Sequence, residues 1–223
     1  MSRRRALMMA AGGGAEIPTD SLVFCMSFRD SCVLAETGQN FDNWGQATLL
    51  YDETLGRNVG RLSEDDLRWD FSGDCNLPVG NAPFAVALKV KLREPGAGVA
   101  PLIVWGTTPY GPTVAALSWN DQGVCFSTWG INKETRRVPL PYDEWHHLCG
   151  VNDGAGNPKF YFDGVLFDTA SFDFSISSGH ANFDGLSFNS FWSPERAVFD
   201  LANARIYNRA LSAEEVAALA KEV

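Results

Sequence analysis

Apolar and polar residues alternate, or apolar residues form short runs, along most of the chain from Ser21 onward, and turn residues separate these segments about every ten positions. Alternation places successive side chains on opposite faces of a strand, and short apolar runs between turns are typical of buried strands. The pattern predicts strands over residues 22–28, 58–62, 67–71, 84–92, 102–105, 113–119, 124–128, 135–140, 145–152, 159–163, 165–170, 185–191 and 197–207. We therefore predict an all-β protein.

The clearest local element is a hairpin between Lys159 and Phe167, in which Asp163-Gly164 joins two apolar segments. Asp-Gly supplies the positive φ angles that a two-residue hairpin turn requires. A wider turn over residues 152–158 precedes this hairpin. The sequence thus predicts a three-stranded meander over residues 145–170.

Near the C-terminal end the period changes from that of a strand to that of a helix. Ser212 and Glu215 stand at the two positions of a capping box, and Leu211 and Val216 stand at those of a hydrophobic staple. The apolar face of the predicted helix consists of Val216, Leu219 and Ala220. We expect a short helix that docks on a sheet.

The predicted strands must bury their apolar faces in pairs, and no internal repeat or linker-like change of composition divides the chain. The predicted fold class is an all-β, two-sheet antiparallel sandwich with a short C-terminal helix. A chain of 223 residues, 45% of them hydrophobic, is long enough for one such domain. We place an N-terminal arm at residues 1–19 and the domain at residues 20–223.

The charge distribution excludes two classes of partner. The chain has 18 basic and 27 acidic residues, a net charge of −9. Residues 1–14 hold three arginines and no acid, which leaves 15 basic and 27 acidic residues, a charge of −12, for the remainder. An acidic body repels phosphate backbones, so we expect no nucleic-acid partner. We also expect no membrane insertion, because no apolar run approaches the roughly 20 residues that span a bilayer.

The arm begins with Arg3-Arg4-Arg5, followed by an apolar stretch over residues 6–11 and three glycines. This stretch is shorter than the roughly 7–15 apolar residues of a signal peptide, which predicts synthesis in the cytoplasm without a cleaved signal. A basic arm with a glycine hinge suits docking on an acidic neighbouring subunit, and the alternative is a floppy terminus. The five cysteines form no CxxC pair, so we expect mostly buried thiols.

Several motifs resemble those of a known family. Three of them are Pro-Tyr-Asp-Glu-Trp-His-His-Leu at residues 141–148, Lys-Phe-Tyr-Phe-Asp-Gly-Val at 159–165, and Ala-Arg-Ile-Tyr-Asn-Arg-Ala-Leu-Ser at 204–212. Together with the first strand at residues 21–28 they resemble the LamG-like jelly roll of the concanavalin A-like lectin and glucanase superfamily. The resemblance covers residues 20–223 and implies a jelly-roll sandwich.

The resemblance also carries expectations about ligands. The family includes carbohydrate-binding modules, adhesion domains and virion appendage proteins, and many members hold a structural calcium. Two acids recur in the family pattern where this chain has Arg29 and Asn203. Because calcium prefers carboxylate ligands, the loss of both acids argues against an inherited site, although Asp30 offers a substitute. We predict no cofactor. The basic terminus ahead of a jelly roll resembles small structural proteins of tailed phages and prophages.

Catalytic chemistry is not indicated by the sequence. Glucan-cleaving members of the superfamily carry a Glu-x-Asp-x-x-Glu or similar run, and this chain has none. The densest acidic cluster, residues 63–66, falls in a predicted turn. His146 and His147 are neighbours on a strand, so their side chains point to opposite faces and cannot share a metal. We expect one of them to pack inward beside Trp145 and the other to face water, and we predict that the protein is not an enzyme.

A binding site is predicted at the loop rim, where aromatic rings stand beside polar side chains. A ring beside amide and carboxylate groups suits a sugar, which offers an apolar face and several hydroxyls. The candidate ligand-binding residues are Tyr110, Trp119, Asn120, Asp121, Trp129, Asn132 and Trp192. The alternative is that these rings cap the ends of the core.

The leading hypothesis is a non-catalytic adhesion or assembly module. It binds a glycan or cell-surface carbohydrate through the rim loops, and its basic arm docks on other subunits of an assembly such as a phage-like virion or tail appendage. After assembly the protein would be virion-associated or extracellular. The two rivals are a purely structural virion or assembly protein without a ligand and a glycoside hydrolase with an unrecognised pair of acids.

Overall fold

The computed structural model describes residues 17–28, 33–34, 48–62, 67–70, 77–94, 98–106, 113–128, 133–177, 185–188 and 197–222, with backbone pairing alone for 33–34, 67–70 and 185–188. These ranges contain fourteen strands and one helix: β1 Leu22–Ser27, β2 Val33–Leu34, β3 Thr48–Asp52, β4 Arg57–Leu62, β5 Leu67–Asp70, β6 Phe84–Glu94, β7 Ala100–Gly106, β8 Val114–Asn120, β9 Gly123–Ser127, β10 Trp145–Asn152, β11 Lys159–Phe162, β12 Val165–Thr169, β13 Gly185–Phe188, β14 Val198–Tyr207 and α1 Ala213–Ala220.

The strands form two antiparallel sheets. The larger has the order β12-β11-β10-β6-β14-β1-β2, and β4, paired with β3, joins it alongside β14. The smaller has the order β5-β13-β7-β8-β9. The predicted all-β jelly-roll sandwich with a short C-terminal helix is thus confirmed. We call these the large sheet and the small sheet.

The main core lies between the two sheets. Alternate residues of β6, from Val86 to Leu92, point inward and are fully buried. Four aromatic rings join the sheets at one end, where Phe84 packs edge-on against Trp105, Phe126 and Phe174 at centroid distances of 5.1, 5.8 and 5.1 Å. Gly150 lies directly beneath the Phe126 ring, since a Cβ there would come within 2.5 Å of it. The absence of a side chain at this position lets the sheets approach.

A second, smaller core covers the outer face of the large sheet. Ala87, Cys149 and Tyr207 pack there against Val216 and Leu219 of α1. The predicted capping box is confirmed, because the Ser212 hydroxyl accepts from the Glu215 amide and the Glu215 carboxylate accepts from the Ser212 amide. The helix therefore docks on the face of the sheet that points away from the main core.

The predicted Asp-Gly hairpin is also confirmed, with φ angles of +49° at Asp163 and +81° at Gly164.

The predicted strand over residues 135–140 is wrong. This segment runs beside β9 through isolated bridges, and the Thr135 hydroxyl, rather than a carbonyl, accepts the Phe126 amide. Pro139 has no amide hydrogen for a ladder. Strands β2 and β3 were not predicted.

Among the described residues, no helix is long and apolar enough to cross a membrane.

The thiols of Cys125 and Cys149 are buried as expected, whereas Cys25 is half-buried. Cys32 and Cys75 lie outside the described residues. At the N-terminal side, the Tyr207 hydroxyl donates to the Pro18 carbonyl, 3.1 Å away.

Candidate functional site

Of the rim loops predicted from the sequence, the structure describes the turn between β8 and β9. Trp119 is 3% exposed and belongs to the main core. It follows Ala115 and Leu117 at a spacing of two, so the pleat of β8 turns all three side chains inward. The expectation of an exposed ring at Trp119 is therefore corrected.

The next two predicted residues occupy the turn itself. The Asn120 carboxamide oxygen accepts the Gln122 amide at 2.9 Å, which makes Asn120 a stabiliser of the turn, while Asp121 is exposed. The other candidates lie outside the described residues: Tyr110, Trp129, Asn132 and Trp192. A binding role for the rim remains a prediction.

The two neighbouring histidines are both buried, which corrects the expectation that one of them faces water. His146 points inward, stacks on Phe162 at 4.8 Å, and holds Nδ1 2.9 Å from the Asp163 carboxylate. His147 points to the outer face and is 3% exposed. Sequence alternation assigned the two faces correctly, but the outer face here is covered by the end of the chain instead of by solvent.

His147 lies among cations. Its cross-strand neighbour is Lys89, whose ammonium donates to the carbonyls of Ala220 and Glu222 at 3.4 and 3.1 Å. Arg205, on the same face, forms an ion pair with the Glu222 carboxylate. Burial, reinforced by the positive charges of Lys89 and Arg205, lowers the pKa of His147 to about 3. His147 is therefore a neutral structural ring at ordinary pH.

The turn of the β3–β4 hairpin is fastened to the large sheet by one carboxylate. The Asp52 carboxylate lies 2.5 Å from the Lys91 ammonium of β6 and accepts the Leu55 amide at 3.0 Å. Lys91 also lies over the Trp145 ring, 4.8 Å from its centroid. Asp52 thus ties the hairpin turn to the large sheet.

An open pocket of about 450 Å³ lies at the tip of this hairpin. Its lining consists of Tyr51, Leu55, Gly56, Arg57 and Asn58. The Tyr51 side chain is 66% exposed, and its hydroxyl leans over the turn, 4.0 Å from where a Cβ on Gly56 would stand. Arg57, in contrast, is 8% exposed. We call this group the hairpin pocket.

Sequence analysis missed the hairpin pocket because it missed β3. The run Thr48–Asp52 lacks clean alternation, and its strand geometry comes from pairing with β4. The sequence did contain one signal. Tyr51 is followed five positions later by Gly56, a turn residue that separates two short strand-like segments.

The Asp52 carboxylate, in the same hairpin as the pocket, is not suited to catalysis. Burial by itself would raise the pKa of Asp52, but the hydrogen bonds from Lys91 and Leu55 outweigh it and hold that pKa below its usual value. A general acid needs a raised pKa and an available proton. Asp52 is therefore a positioning group for the turn.

The described residues contain no group of three or more His, Cys, Asp or Glu side chains placed to hold a metal ion. At the position where the family pattern has an acid, Asn203 is buried within β14. Arg29 and Asp30 lie outside the described residues. The described side chains at this position thus do not fit a calcium site.

Comparisons with known proteins agree with the fold. A family model described as the concanavalin A-like lectin/glucanases superfamily matches residues 70–217. No curated protein matches the chain. The binding domain of Paraclostridial Mosquitocidal Protein 1 is similar in structure, with a TM-score of 0.70, 15% identity, and coverage of 90% of this chain and 52% of that one.

Two further structures are similar. Domain 4 of AbnA, a GH43 extracellular arabinanase from Geobacillus stearothermophilus solved in complex with arabinotriose, has a TM-score of 0.65, 20% identity, and coverage of 90% of this chain and 98% of that one. Trypanosoma rangeli sialidase has a TM-score of 0.57, 17% identity, and coverage of 96% and 35%. The chain spans about half of the mosquitocidal binding domain and about a third of the sialidase. On the family match, this chain belongs to the concanavalin A-like lectin/glucanases superfamily.

Proposed function

We propose that the chain is a non-catalytic glycan-binding module and that the hairpin pocket contributes to its binding surface. The observation that carries the proposal is the Tyr51 ring, 66% exposed at the edge of a pocket that Arg57 and Asn58 also line. An exposed aromatic ring costs free energy in water unless something covers it. The neighbouring polar side chains indicate that a ligand covering the ring must also form hydrogen bonds.

A sugar ring meets these requirements. The C–H face of a pyranose packs on an aromatic ring, while its hydroxyls need both donors and acceptors. The carboxamide of Asn58 supplies both. A volume of about 450 Å³ lies in the range of small-ligand sites. The pocket is open, which suits one end or one side of a chain of sugars.

The structural relatives support a binding role by analogy of fold. Domain 4 of the arabinanase was solved with arabinotriose, and the mosquitocidal relative is a binding domain. The predicted rim around Asn120 and Asp121, with the aromatic residues near it in sequence, is the second surface in the proposal. The lowered pKa of Asp52 supports a module that binds without hydrolysis.

A glycan array followed by calorimetric titration with the best ligand tests the proposal. Tyr51→Ala should weaken binding about tenfold, the equivalent of 1.4 kcal/mol, because the stacking face is lost. Tyr142→Ala is the matched control, since Tyr142 is also exposed, at 47%, but does not line the pocket. It should leave the affinity unchanged.

A double variant, Asn120→Ala with Asp121→Ala, separates the pocket from the rim. Binding that survives Tyr51→Ala but is lost in the double variant would move the site to the rim. A chain that binds no glycan on the array would refute the function, and release of reducing sugar from the bound ligand would contradict the non-catalytic part.

The proposal also includes a role for the N-terminal arm in assembly. The three arginines of residues 1–14 oppose a remainder with a charge of −12, so arm and body of different subunits attract each other. This suits a module carried on a larger assembly such as a phage-like virion or tail appendage, at the surface or outside the cell. Removal of residues 1–14 should lower the molar mass measured by light scattering, and an unchanged mass would remove the arm from the proposal.

A further inference from the structure

A cluster of charged groups is buried on the outer face of the large sheet, under the end of α1. His147 lies within it, 3% exposed, and its Nδ1 atom has no hydrogen-bond partner among the described residues. Its cross-strand neighbour is Lys89 on β6, and Arg205 lies on β14, the next strand of the sheet. We propose that this cluster is an acid-sensitive latch, in which protonation of His147 releases α1 and residues 221–222 from the large sheet while the two sheets remain folded.

The cover over His147 is fastened by polar contacts with two cations of the sheet. The Lys89 ammonium donates to the carbonyls of Ala220 and Glu222 at 3.4 and 3.1 Å. The Arg205 guanidinium donates through both terminal nitrogens to the two oxygens of the Glu222 carboxylate. The last turn of α1 and the residues after it are therefore held against the sheet by the same positive charges that lie beside His147.

Charged groups face His147 from four elements. Burial first, and then the positive charges of Lys89 on β6 and Arg205 on β14, lower its pKa to about 3. Asp163 in the β11–β12 turn and Glu222 after α1 act in the opposite direction. The Asp163 carboxylate accepts the His147 amide at 2.8 Å. The Glu222 carboxylate pairs with Arg205. Both acids are thus already engaged, and a proton on the His147 ring would stand beside two cations.

The helix α1 is the element that such a charge can displace. It has eight residues, fewer than the roughly 12–15 that make an isolated helix stable, so its packing and its cap hold it in place. It packs on β10 and β12 through an apolar face that includes Val216 and Leu219. It takes no part in the strand pairing of either sheet. Its release therefore leaves both sheets and the main core intact, as in the local openings that elements of low stability undergo.

The closed and released states differ in how readily His147 takes up a proton. Once α1 has left, water reaches the ring and screens the neighbouring cations, and the pKa returns to about 6.5. In the closed state the pKa is about 3. As the pH falls below about 6.5, the released state therefore binds the proton first and is favoured. Linkage between these two values raises the ratio of released to closed chains about 30-fold between pH 7.5 and pH 5.0.

The thiol of Cys149 measures the release. It is fully buried in the second core, where it packs against Val216 and Leu219 of α1. Its labelling by dithiodipyridine is followed by mass spectrometry of the peptide that contains it, and each rate is divided by that of the urea-unfolded chain at the same pH. The normalised rate should rise about 30-fold from pH 7.5 to pH 5.0. It should exceed the unfolded fraction obtained from urea unfolding at each pH by about ten times or more, because only α1 has to open.

Three variants assign the effect. His147→Gln should make the normalised rate independent of pH, since the ring that takes up the proton is gone. His146→Gln is the matched control, because that ring points inward, and it should keep the rise. Ser212→Ala removes the helix cap and should raise the rate about fivefold at both pH values without changing their ratio. If His147→Gln does not fold, the pH profile of the unaltered chain decides, with a slope of one proton, tenfold per pH unit, from about pH 6 to pH 4.

The contrary results are distinct from one another. A normalised Cys149 rate equal to the unfolded fraction would mean that the whole chain opens, and would overturn the release of α1. A normalised rate that does not change with pH, or a rise that persists in His147→Gln, would overturn the role of His147.

Discussion

His147 should make the protein less stable as the pH falls, and replacing it should remove that sensitivity. In the folded chain the ring is 3% exposed beside Lys89 and Arg205, and its pKa is lowered to about 3. In the unfolded chain a histidine has a pKa of about 6.5. As the pH drops below 6.5, the unfolded state therefore binds the proton first and is favoured.

The size of the effect follows from the two pKa values. Linkage gives a loss of about 2 kcal/mol in the free energy of unfolding between pH 7.5 and pH 5.0, and the loss continues until about pH 3. With an unfolding entropy of about 2.1 cal/mol/K per residue, a chain of 223 residues loses about 4 °C in Tm over the same interval.

Urea unfolding at pH 7.5 and pH 5.0, followed by tryptophan fluorescence, measures this loss in the unaltered chain and in His147→Gln. The variant should lose about 2 kcal/mol less between the two pH values, and any constant cost of the substitution cancels in the difference. His146→Gln removes a histidine from the same strand and should keep the His147 contribution. Equal losses in the unaltered chain and in His147→Gln would refute the reasoning.

Three further predictions concern a buried ion pair, the packing between the sheets and the helix cap. Lys91→Met should cost about 3–5 kcal/mol because it leaves the Asp52 carboxylate buried without its partner, and adding Asp52→Leu should recover part of the loss in urea unfolding. Gly150→Ala should cost about 1–3 kcal/mol by calorimetry, since the new methyl group would stand 2.5 Å from the Phe126 ring. Ser212→Ala should cost about 1 kcal/mol through loss of the helix cap, with glycan binding unchanged.

The elements that the sequence predicted well are those decided by nearby residues. Strand β10 begins at Trp145 and ends at Asn152, where the alternation placed it. The Asp163 turn and the Ser212 cap also form as predicted, because each depends on contacts within a few positions. The family resemblance, confirmed by the matching family model, added the jelly-roll arrangement that local patterns leave open.

The elements that were missed depend on contacts outside their own segment, which the pattern of that segment does not reveal. Strand β3 exists through its pairing with β4, and the segment 135–140 is irregular because the Thr135 hydroxyl takes a carbonyl's place beside β9. Trp119 borders a turn in sequence, yet the pleat of β8 turns it into the core. Position next to a loop therefore did not make a ring accessible.

The amino-acid sequence by itself determined the class of this protein. Period-two alternation, the turn residues and the capping box predicted an antiparallel sandwich with a docking helix, and the family motifs predicted its superfamily. All of these are properties of short segments.

The tertiary structure alone decided the environment of each polar group. It buried His147 under the end of the chain, tied Asp52 to Lys91 across two strands, and brought Tyr51 and Arg57 to one pocket. The physical reason is that the burial of a side chain, the electrostatic field around it and its accessibility to solvent all depend on which parts of the protein pack against each other. In a sandwich those surfaces come from residues far apart along the chain.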